Sequence, residues 1–431
     1  MIRRINISTF LVIIVVVMGM FSCQAPQTMQ RMDRNMADIY NPSRSSLHPD
    51  FNIHHINDSS TVVYLRIYPA ELLFNQANET GDYLAYMTIR FYLFEVGNNN
   101  SFKAVSDSAS ISKVLNRQEV RNSYFSALPL KAKIGKQYTV RIDVEDENRG
   151  TVTRNYLIVD KRHPMNDQNF RVLSVNTGYP LFTRNFTGDE KFRISFNRMG
   201  YDSIYVDYYN MARTLPRPIF SSTPDIPLQE YPDSTWALPY NDTMQYSLNL
   251  PGIYKFKMEK GLDKGLSLFN FGKSFPRSKT TDDLLAPLVY LTSSAEFRDL
   301  RMEPNRKLAI DNFWLEAAGN MDDARELIRV YYNRVLYSNL YFSSFKEGWK
   351  TDRGMIYMIF GPPDILEKFP DQEKWNYLTS RSRSPVEFVF NRRENRFSNN
   401  NYVLDRRSSS TSLWAEAVNS WRQGEIYSLD Y

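Results

Sequence analysis

Ser343–Asp364 reads SSFKEGWKTDRGMIYMIFGPPD, and the fold of the last third of the chain turns on how it is read. Ile356, Met358 and Phe360 alternate with Tyr357 and Ile359. That pattern predicts a strand that is apolar on both faces, central in its sheet and covered by helices. Gly361-Pro362-Pro363-Asp364 ends the strand, because two prolines cannot continue a hydrogen-bond ladder. Ahead of it, Gly348 follows a helix-rich segment and is expected at positive φ, Trp349 to fill a core slot, and Thr351-Asp352 to lock a turn through side chain–backbone bonds. The same residue types suit an active-site loop. A threonine nucleophile, however, needs a base within hydrogen-bond reach, and the four histidines, His48, His54, His55 and His163, all lie far upstream. The expectation is therefore structural, with no catalytic residue assigned and the outward faces of Lys350, Asp352 and Arg353 left for interaction. The stretch is not a phosphate loop, since it has no GxxxxGK and no helix pattern directly after it.

Outward from this stretch, the region 280–431 reads as α+β. NMDDARELIRVYYNRVLYSNLYF carries Leu327, Ile328, Tyr331, Val335 and Leu336 at three- and four-residue steps, the strongest helix pattern in the chain. Asp322 and Asp323 suit its first turn. WNYL, VEFVFNR and NYVLD read as strands, and SSSTSLWAEAVNSWRQGEIY as a closing helix. Upstream the period changes to two. TVVYLRIYP, YLAYMTIRFYLFEV and a hairpin through Asn148-Arg149-Gly150 predict a β-sandwich over 58–162. A linker near 161–169 leads to a second β-sandwich over 170–275, read from EKFRISFNR, YDSIYVDYYNM and PGIYKFKME, with the proline-laden RTLPRPIFSSTPDIP as loop. The fold class expected is multidomain: two N-terminal all-β, Ig-like sandwich domains followed by an α+β domain.

The N-terminus predicts the address. Arg3 and Arg4, an apolar run from Phe10 to Phe21 and then Ser22-Cys23 make a secretory signal over 1–22. The run is too short for a comfortable span of about 20 apolar residues. Cys23 is the single cysteine, which excludes an intrachain disulfide. Its position resembles a bacterial lipobox, so a lipid on Cys23 is the expected anchor and no other cofactor is expected. Gln24, rather than Asp, after the cysteine favours outer-membrane sorting. The lack of an acidic cluster there favours the periplasmic face, with the cell surface as the alternative. Residues 23–57 read as a polar tether holding the first sandwich off the membrane, with a short helix around 30–40. Loss of the signal removes two arginines and lowers the net charge from +5 to +3, too little for a nucleic-acid partner.

Gly348-Trp349-Lys350-Thr351-Asp352 spells the signature of the GWxTD-domain family of Bacteroidota and related bacteria, which this chain resembles. The likeness continues through Gly-Pro-Pro-Asp, EKWNY, VEFVF and SWRQGEIY, and upstream through FGKSFP, PLVYLTS and DNFWLEAAG. It covers 280–431 closely and 170–280 more loosely. The resemblance implies an exported protein, often a lipoprotein, and carries no agreed biochemical activity.

Other candidate chemistry is sparse. Adjacent His54 and His55 would point to opposite faces of a strand and make a poor chelate. The acids Glu145–Glu147 sit on a hairpin and read as solvated, because calcium needs six or more converging oxygens. Neither Glu347 with Asp352 nor Asp364 with Glu367 forms a recognisable catalytic pair. The expected function is an outer-membrane-anchored lipoprotein acting as a non-enzymatic interaction or scaffold subunit of a cell-envelope machine for outer-membrane protein assembly, secretion or transport, with envelope proteins as partners. The alternatives are an envelope hydrolase on glycan or peptide with Thr351 and Asp352 at its site, and a carbohydrate- or peptide-binding module.

Overall fold

A computed structural model describes residues 35–427, apart from 45, 77–80, 98–101, 211–213, 222, 224–226, 370, 379–384 and 408–410. Residues 1–22, expected to be a secretory signal, and Cys23 lie outside the described residues. Among those residues no helix is long and apolar enough to cross a membrane.

The first β region comprises β1 (Asp50–His55), β2 (Ser60–Ile67), β3 (Asn75–Gln76), β4 (Tyr83–Val96), β5 (Phe102–Asn116), β6 (Tyr124–Lys131), β7 (Gln137–Asp146) and β8 (Thr151–Asp160). Order β1-β2-β6 makes one antiparallel sheet, and β4 lies between β5 and β7 in a five-stranded one. Alternation puts Val63, Leu65 and Ile67 of β2 and Leu128 and Leu130 of β6 on one inner face. Met87, Ile89 and Phe91 of β4 and Val140, Ile142 and Val144 of β7 form the other. These faces close a single core, as the period of two requires.

The second β region comprises β9 (Phe170–Ser174), β10 (Phe192–Phe196), β11 (Ser203–Tyr209), β12 (Ser234–Pro239), β13 (Gln245–Tyr246), β14 (Gly252–Lys257) and β15 (Leu266–Asn270). Its sheets, β13-β10-β9 and β12-β11-β14-β15, enclose a core rich in aromatics, with Phe192, Ile194, Val206, Phe256 and Leu268 at its centre. Unusually, β14 is buried at all six positions. Its inner face carries Tyr254 and Phe256, and its outer face is covered because Phe397 of the C-terminal region packs on Tyr209, Ile253 and Phe269. Two lysines on that covered face are matched: Lys257 pairs with Asp207, and Lys255 bonds Asp263 and the Arg396 carbonyl.

The C-terminal region holds α1 (Thr281–Leu285), α2 (Ser294–Met302), α3 (Arg306–Ala318), α4 (Met321–Phe342), α5 (Asp352–Phe360), a sheet of β16 (Ile365–Lys368), β17 (Gln372–Tyr377), β18 (Val386–Arg392) and β19 (Tyr402–Leu404), and α6 (Thr411–Arg422). The expected division into two all-β regions followed by an α+β region is the architecture observed. Helix ends follow their local chemistry. Ser293 and Glu296 form a capping box at α2, and Asn320 accepts from the amides of Asp322 and Asp323 to start α4.

Two expectations are corrected. Residues 352–360 are helix, not a central strand. An apolar run buried on all sides has no amphipathic period, so the pattern is the same for a covered strand and a covered helix. The Thr351 cap before it and Gly361 after it decide in favour of helix. The stretch read as a tether is also built into the fold from Asn35 onward. A 3-10 turn at Ala37–Tyr40 packs on the C-terminal region, Leu47 enters the first core, and residues 50–55 form β1.

Candidate interaction site

The signature motif joins α4 to α5 by close backbone contact. A Cβ added to Gly348 would lie 1.8 Å from the Ser338 carbonyl oxygen, and one added to Gly354 would lie 1.9 Å from the Gly348 carbonyl oxygen. Gly348 is therefore required by lack of space, not by the positive φ expected of it; its φ is not among the positive ones. The Gly348 amide donates to Ser343 Oγ at 2.9 Å. Trp349 is buried as expected. Its carbonyl accepts from Tyr290 Oη at 2.8 Å, and the two rings meet edge to face at 6.0 Å. Lys350 reaches Glu347 at 3.2 Å and lies 5.1 Å from the Trp349 ring centre.

Thr351 is the N-cap of α5. Its hydroxyl accepts from the Gly354 amide at 3.0 Å and donates to the Gly348 carbonyl at 2.7 Å. Asp352 begins the helix, where a carboxylate suits the dipole, but it faces inward. Asp352 and Arg406 form a buried two-armed ion pair at 2.6 and 3.1 Å. Asp352 Oδ2 also accepts from the Leu404 amide at 2.8 Å, and Arg406 donates to the Leu404 carbonyl at 3.3 Å. β19 is the last strand of its sheet. Ladder bonds to β18 flank the Phe390–Leu404 pair, so the Leu404 amide and carbonyl point away from β18. The Asp352–Arg406 pair thus satisfies a sheet edge where a further strand would lie.

Arg353, expected to face outward, is 1% exposed. It bonds Glu373 at 3.1 Å and the Asn400 carbonyl at 3.0 Å, and its guanidinium lies 4.1 Å from the Tyr402 ring centre. Lys368 reaches the same Glu373 oxygen at 3.3 Å, and Tyr40 donates to it at 3.0 Å. Burial of Glu373 opposes its ionisation, but Arg353, Lys368 and the bonds from Tyr40 and Trp375 outweigh that and hold its carboxyl at about 2. Tyr40 therefore plugs a residue of the supposed tether into the charged centre of the C-terminal region, and its carbonyl accepts from Tyr357 Oη at 2.9 Å.

The far end of the motif is equally occupied. Gly361 has φ +80°, and its carbonyl accepts from Tyr377 Oη at 2.8 Å. Arg334 donates to the carbonyls of Met358 and Ile359 at the C-terminus of α5, at 3.1 and 2.8 Å. Burial pulls its guanidinium down to about 10. Pro362 and Pro363 turn the chain, and Asp364 accepts from the Leu378 amide at 2.8 Å.

The other candidates are also committed to structure. His54 and His55 lie in β1, both buried, and burial lowers each to about 4. His55 contacts Thr61 Oγ1 and the Asp160 carbonyl, both at 2.9 Å. Glu145 pairs with Arg90, Asp146 accepts from the Leu73 amide, and Glu147 accepts from Thr88, so this hairpin does not present the free acids expected of it. Among the described residues no three His, Cys, Asp or Glu converge as metal ligands.

What the motif leaves open is the seam above it. Residues 214–221 and 227–229 of the second β region face β19 across two adjoining clefts of about 630 and 460 Å³. Arg217, Arg393 and Val403 line both, and Thr351 and Asp352 contribute to the smaller. Arg406 ties the two walls, donating to the carbonyls of Arg217 and Pro218 at 2.8 and 3.0 Å. No pattern within the loop predicts this seam, because its halves are nearly two hundred residues apart.

The buried glycine-threonine-aspartate junction lies within the region that the family comparison matches. Residues 252–423 match the family model of the GWxTD domain, so the likeness covers the end of the second β region and most of the C-terminal region. The match begins at β14, inside the second β region. No curated protein matches the chain. Among solved structures, red sea bream transglutaminase is 10% identical over 54% of this chain and 32% of its own, with a TM-score of 0.20. Bacteroides uniformis beta-glucuronidase 2, covalently bound to cyclophellitol-6-carboxylate aziridine, is 11% identical over 32% of this chain and 16% of its own, with a TM-score of 0.16. This chain thus spans about a third or less of either structure, and likenesses this slight carry no argument.

Proposed function

We propose that the protein is a lipid-anchored interaction or scaffold subunit of the cell envelope, held at the outer membrane through Cys23 and serving a machine for protein assembly, secretion or transport. The observation that carries this reading is the use made of the motif. The Thr351 hydroxyl caps a helix and contacts a backbone carbonyl, and the Asp352 carboxylate is divided between Arg406 and the Leu404 amide. Chemistry that an envelope hydrolase would need at these two residues is instead spent on holding a cleft together. The chain order supports a role in positioning. Cys23 precedes Asn35 by 12 residues, and Asn35 bonds the Asp364 carbonyl at 2.8 Å. An anchor at Cys23 would lead into the GWxTD domain before the chain reaches the first β region.

The test is capture of the full-length lipoprotein from envelopes in mild detergent with quantitative mass spectrometry. A stoichiometric envelope protein is expected, and recovery of none refutes the scaffold role. Cys23→Ser is expected to move the protein from the membrane to the soluble fraction; unchanged membrane association refutes the anchor.

A further inference from the structure

We propose that the seam above the motif holds an acidic, extended peptide segment of a partner protein. The inference rests on the scaffold reading and says where, and through what chemistry, the partner is held.

Charge is the first ground. Arg217, Arg393, Arg406 and Arg407 line the larger cleft, and Lys346 adds to the smaller. Among the described lining residues the acids are Asp352 and Asp405, bonded to Arg406 and Arg407. The Arg393 side chain is exposed and has no ion-pair partner among the described residues. A concave site with excess cation concentrates anions and favours carboxylates that an arginine fork can grip.

Shape and lining are the second. The two volumes adjoin through shared walls and far exceed what a single carboxylate or phosphate fills. Leu215, Leu228, Phe345 and Val403 supply apolar surface beside the cations, and Phe220 at the larger cleft is 57% exposed. A ligand for such a surface carries both acids and apolar side chains.

Backbone is the third. Tyr402 lines the smaller cleft. Its pair with Arg392 is flanked by the bonded pairs of the β18–β19 ladder, so its amide and carbonyl point away from β18. They lie on the same side as the Leu404 groups that Asp352 and Arg406 cap. A peptide crossing the smaller cleft can take main-chain bonds at Tyr402 and place its carboxylates toward Arg393, stopping short of the Leu404 groups that Asp352 and Arg406 already hold.

The probe is a fluorescein-labelled peptide of about six residues, alternating glutamate and leucine, which extends to roughly 20 Å at about 3.3 Å per residue. Fluorescence anisotropy with the purified mature protein is expected to show saturable binding that weakens with salt. Arg393→Glu is expected to weaken it about tenfold or more. If that variant folds poorly, Arg393→Gln is expected to give a smaller loss in the same direction. A lysine-leucine peptide binding as tightly overturns the proposal, as does full competition by inorganic phosphate or glucuronate at millimolar level, or binding unaffected by both variants. Envelope capture separates the two readings. A partner retained by Arg393→Glu, together with no peptide binding, overturns the seam and leaves the scaffold role standing. Peptide binding without any envelope partner does the reverse.

Discussion

Gly354→Ala sets two physical effects against each other with opposite signs. Gly354 lies in the first turn of α5, and in an open helix alanine would be favoured by up to about 1 kcal/mol. Here the new methyl would stand 1.9 Å from the Gly348 carbonyl oxygen, where contacts of at least 3.0 Å are needed. The obstacle is backbone, so no side-chain rotation relieves it, and α5 must withdraw by about 1.1 Å. All nine residues of α5 are buried, so that withdrawal disturbs packing on every side. Overpacking of this kind costs about 3 kcal/mol at the upper end of its usual range. The same shift stretches the Gly354–Thr351 cap from 3.0 Å past hydrogen-bond length, which adds about 1 kcal/mol. Offset by the helix preference, the net loss is about 3 kcal/mol. Five of the six tryptophans lie between 314 and 421, so urea unfolding followed by tryptophan fluorescence reads the affected region. The expected result is a midpoint shifted to lower urea at similar slope. A Gly354→Ala protein as stable as the wild type, or more stable, would refute the close-contact account of the motif.

Asp352→Asn removes one partner of a buried ion pair and leaves Arg406 uncompensated, with an expected loss of about 3–5 kcal/mol. Adding Arg406→Met should recover part of it, whereas an unchanged melting temperature would return Asp352 to the list of catalytic candidates. Tyr40→Phe removes a donor to buried Glu373 and is expected to cost about 1–2 kcal/mol in the same urea assay; no change would make residues 35–40 a passive lead-in. Stability should also fall in acid, in two windows. His54 and His55 are held at about 4 in the fold, so the unfolded chain binds protons first and stability drops as pH falls from about 6.5 to 4, by about 3 kcal/mol for each fully shifted group. Glu373, held at about 2, contributes stability above its unfolded value of 4.5 that is lost below it. A urea midpoint that is flat between pH 7 and 4 would contradict the histidine burial.

The sequence by itself determined the division of the chain and the identity of its motif. Alternation at β2, β4 and β7 is visible in sequence because each strand there has one face toward a core and one away from it. The three- and four-residue spacing of α4 is visible because that helix keeps a solvent side. Where an element is covered all round, the period disappears: α5 reads as a strand, and only Thr351 and Gly361 at its ends disclose a helix. Tertiary structure decided everything that depends on distant backbone. Gly348 is needed because the Ser338 carbonyl lies against it, and Asp352 faces inward because the Leu404 edge amide and the Arg406 guanidinium, more than fifty residues on, meet it there. Arg353 is buried because Glu373 awaits it, and Tyr40 enters the same centre from over three hundred residues away. A local pattern records which face of an element is wetted; it does not record which remote charge or carbonyl will meet it. For that reason the fold class was legible from the sequence, and the cleft between Arg217 and Arg393 was not.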